Sequence, residues 1–339
     1  MRITFCCPHL RVGGGVRTIL TYANRLARRG HRVTVVVPAR GSLTAWWRNR
    51  QRKAPDWMPG FRPEVRWVRE WSPADFPSGE VLVATAWQSA PSVKAAPARC
   101  GKKFYLIQHD ESLYHGQPDQ VDETYHYPLR KIVISSWLSD IMQEKFGSEA
   151  HILVTPVDRT LFSRVQTEPD DDRIRVLMLH HHYRWKGVED GLTAVQQVKV
   201  RHPEVRLVGF GVKAPRQSLP YDEFYEDLPQ DRLAWLYSRC QIYLCPSWDE
   251  GLGMPSMEAM ACGVAVVTYD NGGCRDYAFD GWTALVAPRR NVAALADKLE
   301  RLVADAALRA KLGQEGQAFI RREFDWERAV SEAEALFLT

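Results

Sequence analysis

Two glutamates, Glu250 and Glu258, lie eight positions apart in the stretch "DEGLGMPSMEAMACG" and are the first candidates for chemistry. The stretch follows the apolar run "QIYLCPS", an order that predicts a strand, a glycine-containing loop and a helix. Pro255 suits the start of that helix, where a missing N–H costs nothing, and Gly263 suits its end. The helix start offers amides to an anion, which the two carboxylates would flank. A metal-binding pair and a general acid–base pair are the alternatives that these two residues leave open.

A second loop, "HHHYRWKGVEDG", also joins a predicted strand to a predicted helix. Arg184 and Lys186 could form charge-assisted hydrogen bonds with a diphosphate there, each stabilising binding by roughly 1.5 to 3 kcal/mol if shielded from water. A solvated basic turn is the alternative. His180 to His182 suggest a metal, but adjacent strand residues point to opposite faces and no second ligand cluster is visible in the sequence. We therefore expect no metal at this loop.

Two features in the first half of the chain could also bind a ligand. Gly13, Gly14 and Gly15 open a predicted helix after a strand, and adjacent glycines expose their amides. Their spacing is not G-x-G-x-x-G, which disfavours a dinucleotide fold, and a tight turn is the alternative. His109 ends the strand-like run "KKFYLIQH", where it could be a hydrogen-bond donor, a base or a structural histidine.

The elements that must position these residues alternate between short apolar runs and helical patterns. "RITFCC", a helical segment and "HRVTVVVP" predict a β-α-β unit and hence parallel sheet. We expect an α/β protein of two doubly wound domains, residues 1–157 and 158–324, with a helix at 325–339 packing back on the first. The linker "TPVDRTLFSRVQTEPDDDR" separates them, and its acidic run Asp170 to Asp172 is expected to be a solvated turn. Ligands bind outside the carboxyl ends of such strands, so we expect the two domains to face each other across a cleft.

Composition restricts the class of protein. The 339 residues carry a formal charge of +4, too small to argue for nucleic acid, and the 7 cysteines form no C-x-x-C pair. With no signal peptide or membrane-spanning run in sight, we expect a cytoplasmic protein with reduced thiols. A segment that mixes arginines with tryptophans could stack on a ligand, rest on an anionic membrane surface or pack its rings inward. Its tryptophans are Trp46, Trp47, Trp57, Trp67 and Trp71.

The assembled motifs resemble the retaining glycosyltransferases of family 4, which have the GT-B architecture of two facing Rossmann-like domains. The resemblance covers nearly the whole chain and is strongest at "EGLGMPSMEAMACGVAVVTYDNGG" and "DGWTALVAP". It implies that Glu250 contacts hydroxyls of the transferred sugar and Glu258 those of the ribose. Backbone groups implied to hold the donor are those of Gly251, Leu252, Gly253 and Met254 and, near its diphosphate, Gly14 and Gly15.

The resemblance also implies roles for single side chains. Lys186 matches the family's phosphate-binding lysine and His109 its cleft residue, so these two and Glu250 are the expected catalytic residues. The family commonly has an arginine where this chain has His181, which leaves open whether Arg184 or His181 takes that phosphate contact.

The implied reaction moves a sugar, with retention, from a nucleotide-diphosphate sugar to a glycan, glycolipid or glycosylated metabolite. Neither a metal nor a cofactor is expected, because Lys186, Arg184 and helix N-termini would stabilise the leaving diphosphate. Peripheral contact with the inner face of the membrane stays open, and nucleic acid is not an expected partner. The alternatives are a sugar-nucleotide epimerase of the same fold and a non-catalytic nucleotide-sugar-binding protein.

Overall fold

The fold is described for residues 1–39, 53–114, 116–167, 173–215 and 219–339 of a computed structural model. Trp46, Trp47 and the acidic run Asp170 to Asp172 lie outside these ranges. The described residues divide into two compact units: unit 1 comprises Met1–Thr155 with Glu327–Thr339, and unit 2 comprises Pro156–Trp326.

Unit 1 is built on a parallel sheet whose described strands follow the order β3-β2-β1-β4-β5-β6-β7. The central strands are buried on both faces, as expected for a parallel sheet covered by helices. The strands are β1 (Arg2–Cys6), β2 (Arg32–Pro38), β3 (Glu64–Val68), β4 (Val81–Ala84), β5 (Lys102–Ile107), β6 (Arg130–Val133) and β7 (Ala150–Ile152). The first helices are α1 (Gly14–Arg28), α2 (Ala90–Lys94), α3 (Pro118–Tyr125) and α4 (Ser136–Phe146).

Unit 2 repeats the plan with a second parallel sheet, whose described strands follow the order β10-β9-β8-β11-β12-β13. Its strands are β8 (Ile174–Leu179), β9 (Val205–Gly211), β10 (Glu223–Glu226), β11 (Ile242–Cys245), β12 (Ala265–Tyr269) and β13 (Leu285–Ala287). Its helices are α5 (Val188–Arg201), α6 (Gln230–Arg239), α7 (Met254–Ala261), α8 (Val292–Ala304) and α9 (Ala306–Glu323). The predicted α/β class with two doubly wound parallel sheets is confirmed.

The last helix, α10 (Trp326–Leu338), belongs mostly to unit 1 although it follows unit 2 in the chain. Phe337 packs edge-on against Phe104, with ring centroids 5.1 Å apart. Arg29 at the end of α1 pairs with Glu327 at 2.6 Å and with Glu334 at 2.7 Å. An apolar contact and a set of ion pairs therefore hold the helix on this sheet.

Of the described tryptophans in the mixed segment, two pack against unit 1. The indole N–H of Trp57 donates to the Leu10 carbonyl at 2.8 Å, and that of Trp71 donates to the Val36 carbonyl at 3.4 Å. Trp67 lies in β3, and all three side chains are half-buried. None of the helices formed by the described residues combines the length and apolar content that crossing a bilayer requires.

Candidate functional site

The candidate site of unit 2 centres on an ion pair between Lys186 and Glu250. Lys186 ends the 3₁₀ turn Arg184–Lys186 after β8, and Glu250 follows β11. The Lys186 Nζ lies 2.6 Å from Glu250 Oε1, and the two side chains are 19% and 11% exposed. Because both groups are largely shielded from water, this pair interacts more strongly than an exposed one.

The turn that carries Lys186 is fixed against the end of β11. Gly187 has φ +61°, and a Cβ there would overlap the carbonyl of Pro246. The backbone N–H of Trp248 donates to the Trp185 carbonyl at 2.7 Å. Only glycine fits this close approach, so the sequence Lys-Gly sets the position of the lysine.

Glu250 is held by the loop that follows β12. Its N–H donates to the Asn271 carbonyl at 2.9 Å, and its carbonyl accepts from the Gly273 N–H at 3.2 Å. A Cβ on Gly273 would lie 2.6 Å from Leu252 Cα and 2.7 Å from the Glu250 carbonyl oxygen. The two loops therefore pack backbone against backbone, and the glycine permits it.

Helix α7 begins at Met254, one residue before the predicted start at Pro255. Gly253, at φ +90°, precedes the helix, and its carbonyl accepts a hydrogen bond from the Tyr277 hydroxyl at 3.2 Å. Gly253 provides no side-chain cap for the first turn. Lys186, Glu250 and Pro255 all line a small cavity together with Cys245. The N-terminal end of a helix beside a lysine suits an anionic ligand.

Glu258 lies deeper, on the second turn of α7. Its side chain accepts a hydrogen bond from the buried Tyr237 hydroxyl at 3.1 Å, and the residue is 4% exposed. Burial, with Glu258 adding to it, raises the pKa of Tyr237 well above its usual range, so this tyrosine stays a donor. The structure thus brings Lys186 and Glu250 together, while Glu258 contacts the core.

The three histidines after β8 do not act as one group. His180 Nδ1 lies 3.2 Å from the Tyr221 hydroxyl, while the rings of His181 and His182 stack with centroids 4.5 Å apart. Burial, together with the nearby His182 and Lys186 and opposed by Glu250, lowers the pKa of His181 to about 4. His181 is therefore neutral at pH 7. Within the described ranges no group of three or more candidate ligands could hold a metal ion.

Arg184, predicted to bind phosphate, lies over an indole ring that the sequence analysis did not single out. Its guanidinium carbon is 5.7 Å from the ring centroid of Trp248, and that of Arg290 is 4.2 Å from the same centroid. Trp248 stands two residues before Glu250. The only sequence signal was the pair of arginines in "APRRN" after the strand-like run "TALV", which matches no binding motif.

In unit 1, the predicted glycines stand at the open start of α1. Gly14 and Gly15 are its first two residues and both are exposed. A Cβ on Gly13 or Gly14 would meet nothing within 4 Å, and one on Gly15 would meet only the Gln108 side chain at 3.2 Å. None of the three has a left-handed φ. Neither the backbone nor the packing of unit 1 therefore requires glycine at positions 13 and 14.

His109 follows β5, as predicted, and is half-buried. Its Nδ1 donates to the Asp110 carbonyl at 3.0 Å, and its ring packs edge-on near Trp137. Sequence reasoning missed Glu111 beside it, whose Oε2 accepts from the Trp87 N–H at 2.9 Å. Burial raises the pKa of Glu111 to about 7, against the lowering effect of that hydrogen bond.

Known proteins are similar to this chain in sequence and in fold. Residues 160–319 match the family described as Glycosyl transferases group 1. The O-antigen biosynthesis protein RfbC of Myxococcus xanthus is 29% identical over 94% of this chain. The chain spans 25% of the length of that relative.

Two solved structures have the same two-unit GT-B fold. Sucrose-phosphate synthase from Thermosynechococcus elongatus is similar with a TM-score of 0.81 and 18% identity, over 99% of this chain and 98% of that one. HepE of Anabaena, solved in complex with UDP-glucose, is similar with a TM-score of 0.76 and 17% identity, over 100% of both chains.

Proposed function

We propose that this chain is a retaining glycosyltransferase that takes a sugar from a nucleotide-diphosphate sugar. The observation that carries the proposal is the shielded Lys186–Glu250 pair, 2.6 Å apart, beside the uncapped start of α7. A cation and a helix N-terminus suit a diphosphate, and a carboxylate suits sugar hydroxyls. The group 1 segment, residues 160–319, contains all of these residues.

In the proposed reaction the acceptor oxygen bonds to the anomeric carbon on the face from which the diphosphate leaves. The bond between that carbon and the phosphate oxygen breaks, and the acceptor proton passes to the leaving phosphate. Lys186, with Arg184 as a candidate second cation, and the α7 amides stabilise the developing negative charge, so we propose that no metal or other cofactor takes part. Glu250 and the amides of Gly251 to Met254 orient the sugar, and Glu258 binds ribose hydroxyls.

Unit 1 contributes two proposed features. Gly14 and Gly15 offer open amides to a phosphate oxygen, because nothing in the unit fills the space beside Gly14. His109 is proposed to act on the reacting sugar, its Nδ1 being fixed by the Asp110 carbonyl. The seven cysteines are free and buried, which fits a cytoplasmic enzyme.

The acceptor is proposed to be a glycan, a glycolipid or a glycosylated metabolite. RfbC, a relative that matches 94% of this chain, is described as an O-antigen biosynthesis protein, which favours a polysaccharide precursor. Contact with the inner face of the membrane would suit a lipid-linked acceptor.

The test is binding and turnover of the full chain with a panel of nucleotide sugars. Removing the lysine as Lys186→Ala is expected to lower kcat about 10²- to 10³-fold, the loss typical of a group that stabilises developing charge. Lys199→Ala is the matched control, because Lys199 pairs with Asp222 at the same 2.6 Å away from the site. Transfer by Lys186→Ala at the rate of Lys199→Ala would rule out the assignment.

Product analysis separates the alternatives. NMR of the product is expected to show the donor's anomeric configuration, whereas an epimerase would return an altered sugar nucleotide. A binding protein would hold the nucleotide sugar without hydrolysis or transfer across the acceptor panel.

A further inference from the structure

Arginines from two loops of unit 2 lie around Trp248, which belongs to a third loop. The Arg184 guanidinium carbon lies 5.7 Å from the indole centroid, and the Arg290 guanidinium carbon lies 4.2 Å from it. Arg289 donates through Nε to the Trp248 carbonyl at 2.9 Å and pairs with Asp249. The three loops follow β8, β11 and β13, so they meet at the carboxyl end of one sheet.

The three arginines differ in how their charge is compensated. Arg289 has a carboxylate partner in Asp249. Arg184 and Arg290 form no ion pair with any described residue, and both are exposed. A guanidinium that stacks on an aromatic face keeps its N–H groups at the edge, where they can donate to an oxyanion.

The indole under these arginines is fixed in place. Its Nε1–H donates to Asp190 Oδ2 at 2.9 Å, and the same oxygen accepts from the Tyr269 hydroxyl at 3.2 Å. The backbone N–H of Trp248 is bonded to the Trp185 carbonyl. A ring held at both its backbone and its indole nitrogen is a preorganised support for two side chains.

Arg290 occupies an unfavourable backbone conformation. Its φ is +60°, and Asp227 is the other non-glycine residue with positive φ among the described residues. A side chain at such a φ is strained, and strained residues cluster at functional sites. This strained residue is the one whose guanidinium carbon lies 4.2 Å from the indole centroid of Trp248.

We propose that Arg184 and Arg290, supported by Trp248, form a subsite for an oxyanion group, either phosphate or carboxylate, that is separate from the Lys186–Glu250 pair. Two planar guanidiniums match the tetrahedral oxygens of a phosphate and the two oxygens of a carboxylate. Only the identity of the ligand rests on the proposed function. That ligand is the donor's diphosphate or a charged group on the acceptor.

The experiment measures inorganic phosphate binding by the thermal shift of the full chain at low ionic strength. The variant Arg184→Gln/Arg290→Gln is expected to raise the apparent Kd for phosphate about tenfold relative to the wild type. Arg322→Gln is the matched control, since Arg322 also stacks on an aromatic ring, 5.6 Å from Phe319, but already pairs with Glu323. An Arg184→Lys/Arg290→Lys variant, which keeps the charge, should recover part of the affinity.

Calorimetry with nucleoside diphosphates then identifies the source of the anion. If the glutamine variant binds the nucleoside diphosphate about tenfold more weakly than the wild type, the subsite belongs to the donor. If that affinity is unchanged but phosphate binding is lost, the subsite belongs to the acceptor. Equal phosphate responses in wild type, glutamine variant and Arg322→Gln would overturn the subsite. If the wild type bound no nucleoside diphosphate, the proposed function would fail while the phosphate titration still judged the subsite.

Discussion

The glycines at the start of α1 in unit 1 and those around α7 in unit 2 are present for opposite reasons. A Cβ on Gly14 would meet nothing within 4 Å, whereas one on Gly273 would lie 2.6 Å from Leu252 Cα. Gly187 and Gly253 also have left-handed φ values, and Gly14 does not. The unit 2 glycines let loops pack closely enough to hold Lys186 and Glu250, while the unit 1 glycines leave space that the unit itself does not fill. Glycine thus permits close backbone packing in unit 2 and leaves open space in unit 1.

Glu250 in unit 2 and Glu111 in unit 1 differ in how their surroundings compensate a negative charge. Glu250 is paired with a lysine at 2.6 Å, so its charge is compensated within unit 2. Glu111 beside His109 is held by the Trp87 N–H and by burial, which raises its pKa to about 7. Burial disfavours the charged form of Glu111, and the hydrogen bond from Trp87 offsets only part of this effect.

The largest expected effect comes from breaking the close packing in unit 2. Gly187→Ala combines a left-handed φ with overlap of the Pro246 carbonyl and should lower the free energy of unfolding by about 3 kcal/mol or more. Urea unfolding measures this change. The matched control is Gly147→Ala, which has a similar φ of +58° but nothing within 4 Å of the new Cβ. Equal losses in the two variants would show that backbone conformation alone, and not the Pro246 contact, demands glycine at 187.

The second prediction concerns the effect of Glu111 on the pH dependence of the unfolding free energy. Because its folded-state pKa, about 7, is raised above the ordinary 4.5, the folded state holds the proton more tightly. This contribution to stability is complete below about pH 4.5 and is lost as the pH rises through 7. Relative to Glu111→Gln, the wild type should therefore lose roughly 2 kcal/mol of unfolding free energy between pH 5 and 7.5.

Urea unfolding at half-unit pH intervals checks this expectation. Glu123→Gln is the control, since Glu123 is exposed on α3 and accepts a hydrogen bond from the Tyr127 hydroxyl at 3.1 Å. A wild-type curve parallel to that of Glu111→Gln over the whole range would contradict the assigned pKa.

The sequence predicts the buried parts of this fold better than its edges. Strand β2 was expected because "RVTVVVP" is apolar on both faces, as a central parallel strand must be. The edge strands β3 and β10 were missed, since their half-exposed residues lack that pattern.

The candidate site divides in the same way. The loop, the glycines and the helix start near Glu250 could be predicted, because their residues lie within one short stretch of the chain. The ion pair with Lys186 joins residues 64 positions apart and depends on how β8 and β11 align. The Trp248–Arg290 contact joins loops that carry no motif. Local chemistry was therefore predictable, and long-range pairing required the sheet.

The third prediction compares two substitutions at position 290. Both Arg290→Gly and Arg290→Ala remove the guanidinium, but only glycine accepts φ +60° without strain. The glycine variant should therefore be more stable than the alanine variant by about 1 kcal/mol, while both lose phosphate binding equally. Thermal unfolding with and without phosphate measures both quantities. An alanine variant as stable as the glycine variant would mean that the loop relaxes and that no strain supports the proposed subsite.

The smallest expected change lies at Gly14. There alanine should be more stable than glycine, the reverse of the order expected at position 290. Alanine is the better helix former, and position 14 is the first residue of α1 with open space beside it. Gly14→Ala should therefore raise the free energy of unfolding by about 0.5 kcal/mol. If the open space serves a ligand, the same variant should bind nucleoside diphosphates less tightly, because a methyl group would stand where a phosphate oxygen approaches the amide. Gly13→Ala, which also meets no atom, tests whether one glycine or the whole loop matters. A variant that gained stability and kept its full affinity would show that these glycines form an ordinary turn, and the contrast between the two regions would then be one of packing alone.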